Sequence, residues 1–384
     1  MGFMGFRWAD GGAGVRNHVV VMSSVSCVNG VVGAIGRALP AVKTIIHTEG
    51  CGRGLADVKT SVRTLVGLAM NPNVHSVLVV GLGCEFINPN AIVTGAAASQ
   101  KRIEKIVVQE LGGSQKAAAA GVEIARAMLA EAAKQEREEL GFEHLTVGLE
   151  CGGSDALSGI TANPVIGAAA DWLVGQGATV MLAETTEMIG AEKILARRAA
   201  SPEMGERIVS MVARQRKLTE DILGPLANLV ISPGNIEGGL SSISEKSLGC
   251  VVKGGTTKIN EVVDYADKPK CRGLVIMDTP GSDIFQLTGM AAGGANLVLF
   301  STGRGTPAGF PIVPVIKIAS NSDLYRKMAD DMDMNAGVMV EGATLAQVGA
   351  DLVRLIQRVA GGEQTKAEAN LQDVVAIHTV GPAF

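Results

Sequence analysis

Aromatic residues make up only 3% of the 384 residues, with two tryptophans, two tyrosines and eight phenylalanines, so there are few platforms on which bases could stack. Charge of one sign is not in excess either. The 34 Lys and Arg residues stand against 38 Asp and Glu, a formal net charge of −4, and a nucleic-acid-binding chain would carry a basic footprint. Nucleic acid is therefore excluded as a partner. The six cysteines form no CxxC pair, which suits reduced thiols or metal ligands better than a disulfide framework. The start, MGFMGFRWADGG, lacks the basic region and apolar core of a signal peptide, and Phe6 stands where myristoylation needs Ser or Thr. The longest uncharged stretch, Ile284 to Gly303, contains Gly289, Gly293, Gly294, Gln286 and Asn296. It reads as helix, turn and buried strand, not as a membrane span. A cytoplasmic protein that does not enter the membrane is expected.

What the chain has instead is glycine, 49 residues of it, and an apolar content of 47%. The glycines gather in short motifs (GCGRG, GLGC, CGGSD, SPGNIEGG, GMAAGGAN, STGRG), where they let backbone N–H groups approach a ligand. Four times an apolar β-branched run ends in a small-residue loop carrying a cysteine, at Cys27, Cys51, Cys84 and Cys151. Such runs are typical of buried parallel strands, and open α/β sheets bind ligands at the carboxyl ends of their strands.

The pattern predicts an α/β fold: a parallel-sheet N-terminal domain over 1–141 followed by a larger α/β domain over 142–384, with the site at strand ends and between domains. Strands are expected near 19–25, 43–48, 76–81 and 105–108, with helices near 31–38, 57–70 and 90–100. Residues 114–140 read as one long amphipathic helix. Further strands are expected near 145–150, 178–183, 273–277, 296–300 and 312–318, and a long charged helix from Glu187 to about Leu223. The polar stretch after Gly361 is expected to be mobile.

Several strand ends carry groups with chemistry. His47 and Cys51 in HTEGCG, with Cys84 and Glu85 in the next loop but one, could converge on a divalent metal, because neighbouring strands lie about 5 Å apart; the alternative is a buried thiol and a hydrogen-bonded structural histidine. Ser154 and Asp155 after Cys151, with Asn163 beyond, could cap a helix or bind an anion at its start. Glu184 and Glu187 place two carboxylates after a strand, where helix capping is the plain reading. Asn235, Lys246 and the segment Asp278–Asp283 add polar groups at other element ends. Arg304 sits in a GRGTP loop that formally matches a dinucleotide fingerprint but lacks the following helix, so it reads as an anion clamp. The acidic run from Asp330 to Asp333 reads as a cation ligand or a solvated helix end.

The segments GFRWADGGAGVRNHV, HTEGCG, NPNVHSVLVVGLGCE, LECGGSDALSGITANPVIG, SPGNIEGGLSSISEKSLG, MDTPGSD, GGANLVLFSTGRGTP and DDMDMNAG, in this order, resemble the signature segments of the altronate and galactarate dehydratase family from about Gly5 to Gly361. The resemblance implies a metal-dependent lyase, commonly with Fe2+, that eliminates a group β to the carboxylate of a 2-hydroxy acid. It implies His47, Cys51, Cys84, Glu85 and Cys151 as the metal neighbourhood. Ser154, Asn163, Asn235 and Arg304 are the expected substrate contacts, and Lys246 and Asp155 the expected catalytic groups. It also implies homo-oligomerisation and a small antifreeze-like partner subunit, since many sugar-acid members carry that domain at their own N-terminus. The ending VVAIHTVGPAF departs from the Glu-Phe-x-Pro-Trp type of tail, which favours (2R)-3-sulfolactate, cleaved to pyruvate and bisulfite, over a sugar acid. A non-catalytic metal- or ligand-binding subunit is the alternative of another class. A redox role for the cysteines would need a thiol pair at disulfide distance.

Overall fold

The computed structural model describes residues 2–229 and 231–384. In chain order the strands are β1 (Gly2–Arg7), β2 (Ala13–Gly14), β3 (His18–Ser23), β4 (Lys43–Ile45), β5 (Val74–Gly81), β6 (Arg102–Val107), β7 (Glu138–Gly141), β8 (Thr146–Cys151), β9 (Thr179–Leu182), β10 (Ile259–Val263), β11 (Gly273–Met277), β12 (Leu297–Thr302), β13 (Val315–Ala319) and β14 (Met334–Asn335). They form a parallel sheet β4-β3-β5-β6, a parallel sheet β10-β11-β9-β8-β12-β13-β14, and a small antiparallel sheet β2-β1-β7. The two parallel sheets are the α/β architecture that the continuous Val/Ile/Leu runs predict, since strands covered on both faces have no polar side to show.

Three expectations need correction. The helix from Ser114 stops at Ala132, and Glu138–Gly141 pairs antiparallel with β1, tucking Leu140 into the core. The long charged helix is two: a short one over Glu192–Ala196 and a longer one over Pro202–Leu223, restarted where Ser201 Oγ accepts the Met204 N–H at 3.3 Å and Pro202 occupies the first turn. The polar tail is anchored: Thr365 and Glu368 form a capping box, and the Glu368 carboxylate receives Arg16 Nε and Nη2 at 2.8 and 2.9 Å.

The two large sheets share a core. Leu65, Leu68, Val77 and Val79 pack in one apolar cluster with Met181, Val275, Met290, Val298 and Phe300. The helix Leu55–Met70 meets the helix Asp283–Ala292 so closely that a Cβ on Gly67 would lie 2.3 Å from the Ala292 carbonyl oxygen. Two buried asparagines clamp the joint. Asn71 Nδ2 donates to the carbonyls of Ala291 and Ala295 at 2.7 and 2.8 Å, and Asn73 Nδ2 to those of Asn296 and Ile312, both at 2.9 Å. Backbone acceptors buried in this way must be paired, so the asparagines supply both polar satisfaction and register. Among the described residues no helix is long and apolar enough to cross a membrane.

Candidate active site

The carboxyl ends of β8 and β9 lie side by side, because these strands are paired in parallel. β8 delivers Cys151, and Gly152–Gly153–Ser154 turns away from it. Ser154 N–H donates to Asn235 Oδ1 at 2.8 Å and Ser154 Oγ lies 3.1 Å from Cys151 Sγ. β9 is followed by Glu184 in the left-handed region (φ +72°), a conformation uncommon for a side-chain-bearing residue. It is held there by its N–H donating to Thr279 Oγ1 at 2.6 Å. The turn Thr185–Met188 then brings Glu187 under the strand ends.

The third contributor is the helix Ile243–Cys250 and the turn after it. Lys246, Cys250 and Lys253 recur at helical spacing and face the two glutamates. Lys246 Nζ is paired with Glu187 Oε1, and Lys253 Nζ lies 3.2 Å from Glu187 Oε2 and 3.8 Å from Glu184 Oε2. Cys250 Sγ lies 3.6 Å from Cys151 Sγ. A cavity of about 210 Å³ opens beside them, walled by Gly152, Gly153, Glu184, Glu187, Lys246 and Asp283, with Ser232 and Asn235 at its edge.

Burial and charge split the ionisation of this cluster. Burial alone would raise Glu187, but Lys246 and Lys253 outweigh it and hold the carboxyl at about 2. Glu184 goes the other way, raised by burial and by the Glu187 charge. Two adjacent carboxyls whose ionisation is pushed in opposite directions are an arrangement from which a site can draw both a base and an acid. Burial opposes the charge on Lys246, yet Glu187 and Glu184 keep its ammonium well above the usual lysine range. The hydrogen bond from Cys250 lowers Cys151 to about 6, whereas burial pushes Cys250 up. Behind the site, burial also raises Glu150, whose two carboxyl oxygens have no partner.

Cys151, Glu187 and Cys250 offer ligand atoms within 4.8 Å of one another, the one such group of three among the described residues. Two sulfurs and a carboxylate suit a borderline or soft divalent ion such as Fe2+ or Zn2+, and Lys246 and Lys253 pair with the carboxylate of the set. The donors fit a metal.

The loops of the four-stranded sheet differ. His47 is buried, with Nε2 at 2.8 Å from the Ser23 carbonyl and Nδ1 accepting the Glu49 N–H at 3.1 Å. Glu85 accepts from Ser24 Oγ at 2.8 Å and from the N–H groups of Leu82 and Gly83 at 2.9 and 2.6 Å. Cys51 and Cys84 are exposed. These four are not gathered with Cys151, the fifth residue of the expected metal neighbourhood.

Of the other expected residues, Asn235 and Lys246 line the cavity, and the buried Ser154 stands behind Asn235, to which its N–H donates. Asn163 is buried behind it, between Ser301 Oγ at 2.6 Å and the Gly249 carbonyl at 3.0 Å. Asp155 receives Ser158 Oγ and Ser320 Oγ at 2.7 Å and Asn321 Nδ2 at 2.9 Å, a network that fixes the loop. Neither Ser154 nor Asp155 caps a helix, because the next one starts only at Ala162. Arg304 stands at the rim over Gly153, paired with Glu237 at 2.8 Å. The acidic run is structural at Asp333, which accepts the N–H groups of Lys317 and Lys366 at 2.8 and 2.9 Å.

Comparison with known proteins is decisive on the family. Residues 142–383 match "D-galactarate/Altronate dehydratase, C-terminal" and residues 5–133 match "D-galactarate dehydratase/Altronate hydrolase, second domain". The chain belongs to the D-galactarate/altronate dehydratase family. It is 34% identical to altronate dehydratase of Bacillus subtilis, over 99% of this chain and 78% of that one, and 37% identical to galactarate dehydratase (L-threo-forming) of Escherichia coli, over 94% and 73%. It is also 34% identical to (2R)-sulfolactate sulfo-lyase subunit beta of Chromohalobacter salexigens, over 96% of this chain and 94% of that one. Dehydratases and a sulfo-lyase are all lyases, and this family member is a lyase. Sequence reasoning passed over Cys250 and Lys253; the i, i+4, i+7 spacing from Lys246 was the signal that could have found them.

Proposed function

We propose that this lyase eliminates a group β to the carboxylate of a small 2-hydroxy acid, that Fe2+ held by Cys151, Glu187 and Cys250 is its cofactor, and that (2R)-3-sulfolactate, giving pyruvate and bisulfite, is the favoured substrate. The observation that carries the reading is the small cavity of about 210 Å³ with a charged lysine and a split carboxyl pair in its wall. That volume favours a three-carbon acid. A six-carbon sugar acid would run past the rim to Arg304, and dehydration of such an acid is the second reading, supported by the dehydratase relatives.

Proton abstraction next to a carboxylate needs a barrier lowered by roughly 8 kcal/mol or more, of which a positioned acid or base contributes about 3–5 kcal/mol. Lys246, held charged, places an ammonium at the cavity wall for the substrate carboxylate or for proton donation to the leaving group. Glu184 and Asp283 line the same wall and are available for proton transfer. Ser154 and Asn235 orient the polar edge, while Asp155 fixes the loop that carries Ser154, and Arg304 meets a far anionic group. A bound divalent ion would supply positive charge to the 2-hydroxyl and carboxylate as negative charge develops there.

A small partner subunit is part of the proposal, supported by a relative whose name marks it as one subunit of an enzyme, as is a cytoplasmic location. The test is purification with any co-expressed small subunit, loading with Fe2+ without oxygen, and parallel assay of sulfolactate, altronate and galactarate. Sulfite with pyruvate supports the leading reading; a 2-oxo sugar acid replaces it with the second. No iron-dependent 2-oxo acid from any of them shifts the reading to another 2-hydroxy acid or to a non-catalytic subunit.

A further inference from the structure

The cysteine pair at the site has a second chemistry. Cys151 Sγ and Cys250 Sγ are 3.6 Å apart, in van der Waals contact, and both residues are buried. A disulfide brings sulfurs to about 2.05 Å, so closure requires a shift of roughly 1.5 Å. The local backbone can supply it. Cys151 is the last residue of β8 and is followed by Gly152 and Gly153, and Cys250 is the last residue of its helix, followed by a single turn. No other side chain stands between the sulfurs, which are themselves hydrogen-bonded. The remaining cysteines, Cys27, Cys51, Cys84 and Cys271, are exposed, so the buried pair is chemically distinct from them.

We propose that Cys151 and Cys250 form a reversible disulfide with peroxide-class oxidants, and that this oxidation and divalent-metal binding are mutually exclusive states of the same two sulfurs. The second half rests on the reading of these residues as metal ligands; the first half stands on the sulfur geometry alone. The attacking sulfur is that of Cys151, which ends β8 next to the cavity wall at Gly152, and it attacks as the thiolate. Its sulfur attacks one peroxide oxygen, the O–O bond breaks, and hydroxide leaves to give a sulfenic acid. Cys250 then gives its proton to that hydroxide, making the first water, and its sulfur displaces hydroxide from the sulfenic acid; this second hydroxide takes back the proton that Cys151 released on becoming a thiolate and leaves as the second water. Two electrons pass from the sulfurs to peroxide, two waters form, and a dithiol reductant reverses the change by exchange.

The experiment uses the full chain, purified with any co-expressed small subunit, stripped with a chelator and exposed to hydrogen peroxide with and without prior loading by Zn2+, which itself does not react with peroxide. Peptide mapping after alkylation should find the tryptic peptide Ser247–Lys253 joined to the peptide carrying Cys151, and dithiothreitol should release it. Zn2+ loading should slow the linkage by at least about tenfold, as expected if ligation withdraws both thiolates. In Cys250→Ser the same treatment should leave a sulfenic acid on Cys151 that dimedone traps. Absence of the linked peptide in the stripped protein, or direct passage of Cys151 to the sulfinic state, would overturn the disulfide. Linkage at equal rates with and without Zn2+ would instead overturn the exclusivity and the metal reading with it, leaving the disulfide in place.

Discussion

The loops at the carboxyl edge of the four-stranded sheet and those at the edge of the seven-stranded sheet look alike as sequence: apolar strand, glycine, cysteine, carboxylate. Their chemistry is opposite. Around His47 and Glu85 the hydrogen-bonding capacity is taken up locally, by the Ser23 carbonyl, the Glu49 N–H, Ser24 and the N–H groups of Leu82 and Gly83, and the cysteines face solvent. Around Cys151 the carboxylates are buried against two lysines and a second thiol, with a cavity beside them. The strand end that makes a candidate site is the one whose polar groups are buried, charged and not consumed by their own loop.

The strongest way to break this contrast is at Glu187. In Glu187→Gln two buried ammonium groups lose their counter-charge, which by precedent costs about 3–5 kcal/mol of stability. Thermal unfolding should show this, with metal content and lyase turnover falling together. The wild-type pair also has a pH signature. Because the Glu187 carboxyl is held at about 2, below its unfolded value, its stabilisation is complete above the unfolded value and is lost as pH falls towards 2. An acid titration of the unfolding midpoint that stays flat in wild type would rule the pairing out.

Lys246→Met should keep the fold and lower kcat by about a hundred- to ten-thousandfold, with the pH profile of kcat changed in shape. A variant that loses only substrate affinity would make Lys246 a binding group.

A smaller effect is expected at Glu150. Its folded carboxyl titrates above the unfolded value, so it destabilises progressively as pH rises from the unfolded value towards the folded one. Glu150→Gln should raise the melting temperature at pH 8 and leave it unchanged at pH 4. A rise at both would point to packing instead of charge.

The smallest effects belong to the other sheet. Cys51→Ser and Cys84→Ser should hold turnover and metal content within about twofold, as surface substitutions usually do. A large loss of metal in either would move the metal neighbourhood towards the sequence expectation.

Much of the fold was legible because parallel strands advertise themselves as unbroken Val/Ile/Leu runs, β3, β5, β8 and β12 above all. The edge strand β7 was not, since Glu138–Gly141 carries a helix-like charge pattern and becomes a strand only by pairing with β1, more than a hundred residues earlier. At the site, Cys151, Ser154, Asn235 and Lys246 were visible as polar groups at element ends. Glu187 was visible too, but a Thr–Glu pattern after a strand reads as a helix cap until the lysines that claim it are in place. Cys250 and Lys253 follow no strand, and only folding brings them to β8 and β9. At His47 and Glu85 the sequence shows groups that could ligate, and the structure adds that their own loops already engage them.

The paired asparagines at the joint of the two sheets also limit how this molecule can move. Rocking one sheet against the other would strand Asn71, Asn73 and the four carbonyls they hold, at about 1–3 kcal/mol for each group left unsatisfied, and the contact at Gly67 leaves no slack for sliding. A jaw-like opening is therefore closed to this enzyme. What can move freely is the surface: the half-exposed Arg304, packed over Gly153, and its partner Glu237 can part by turning side chains alone, a motion of picoseconds to nanoseconds.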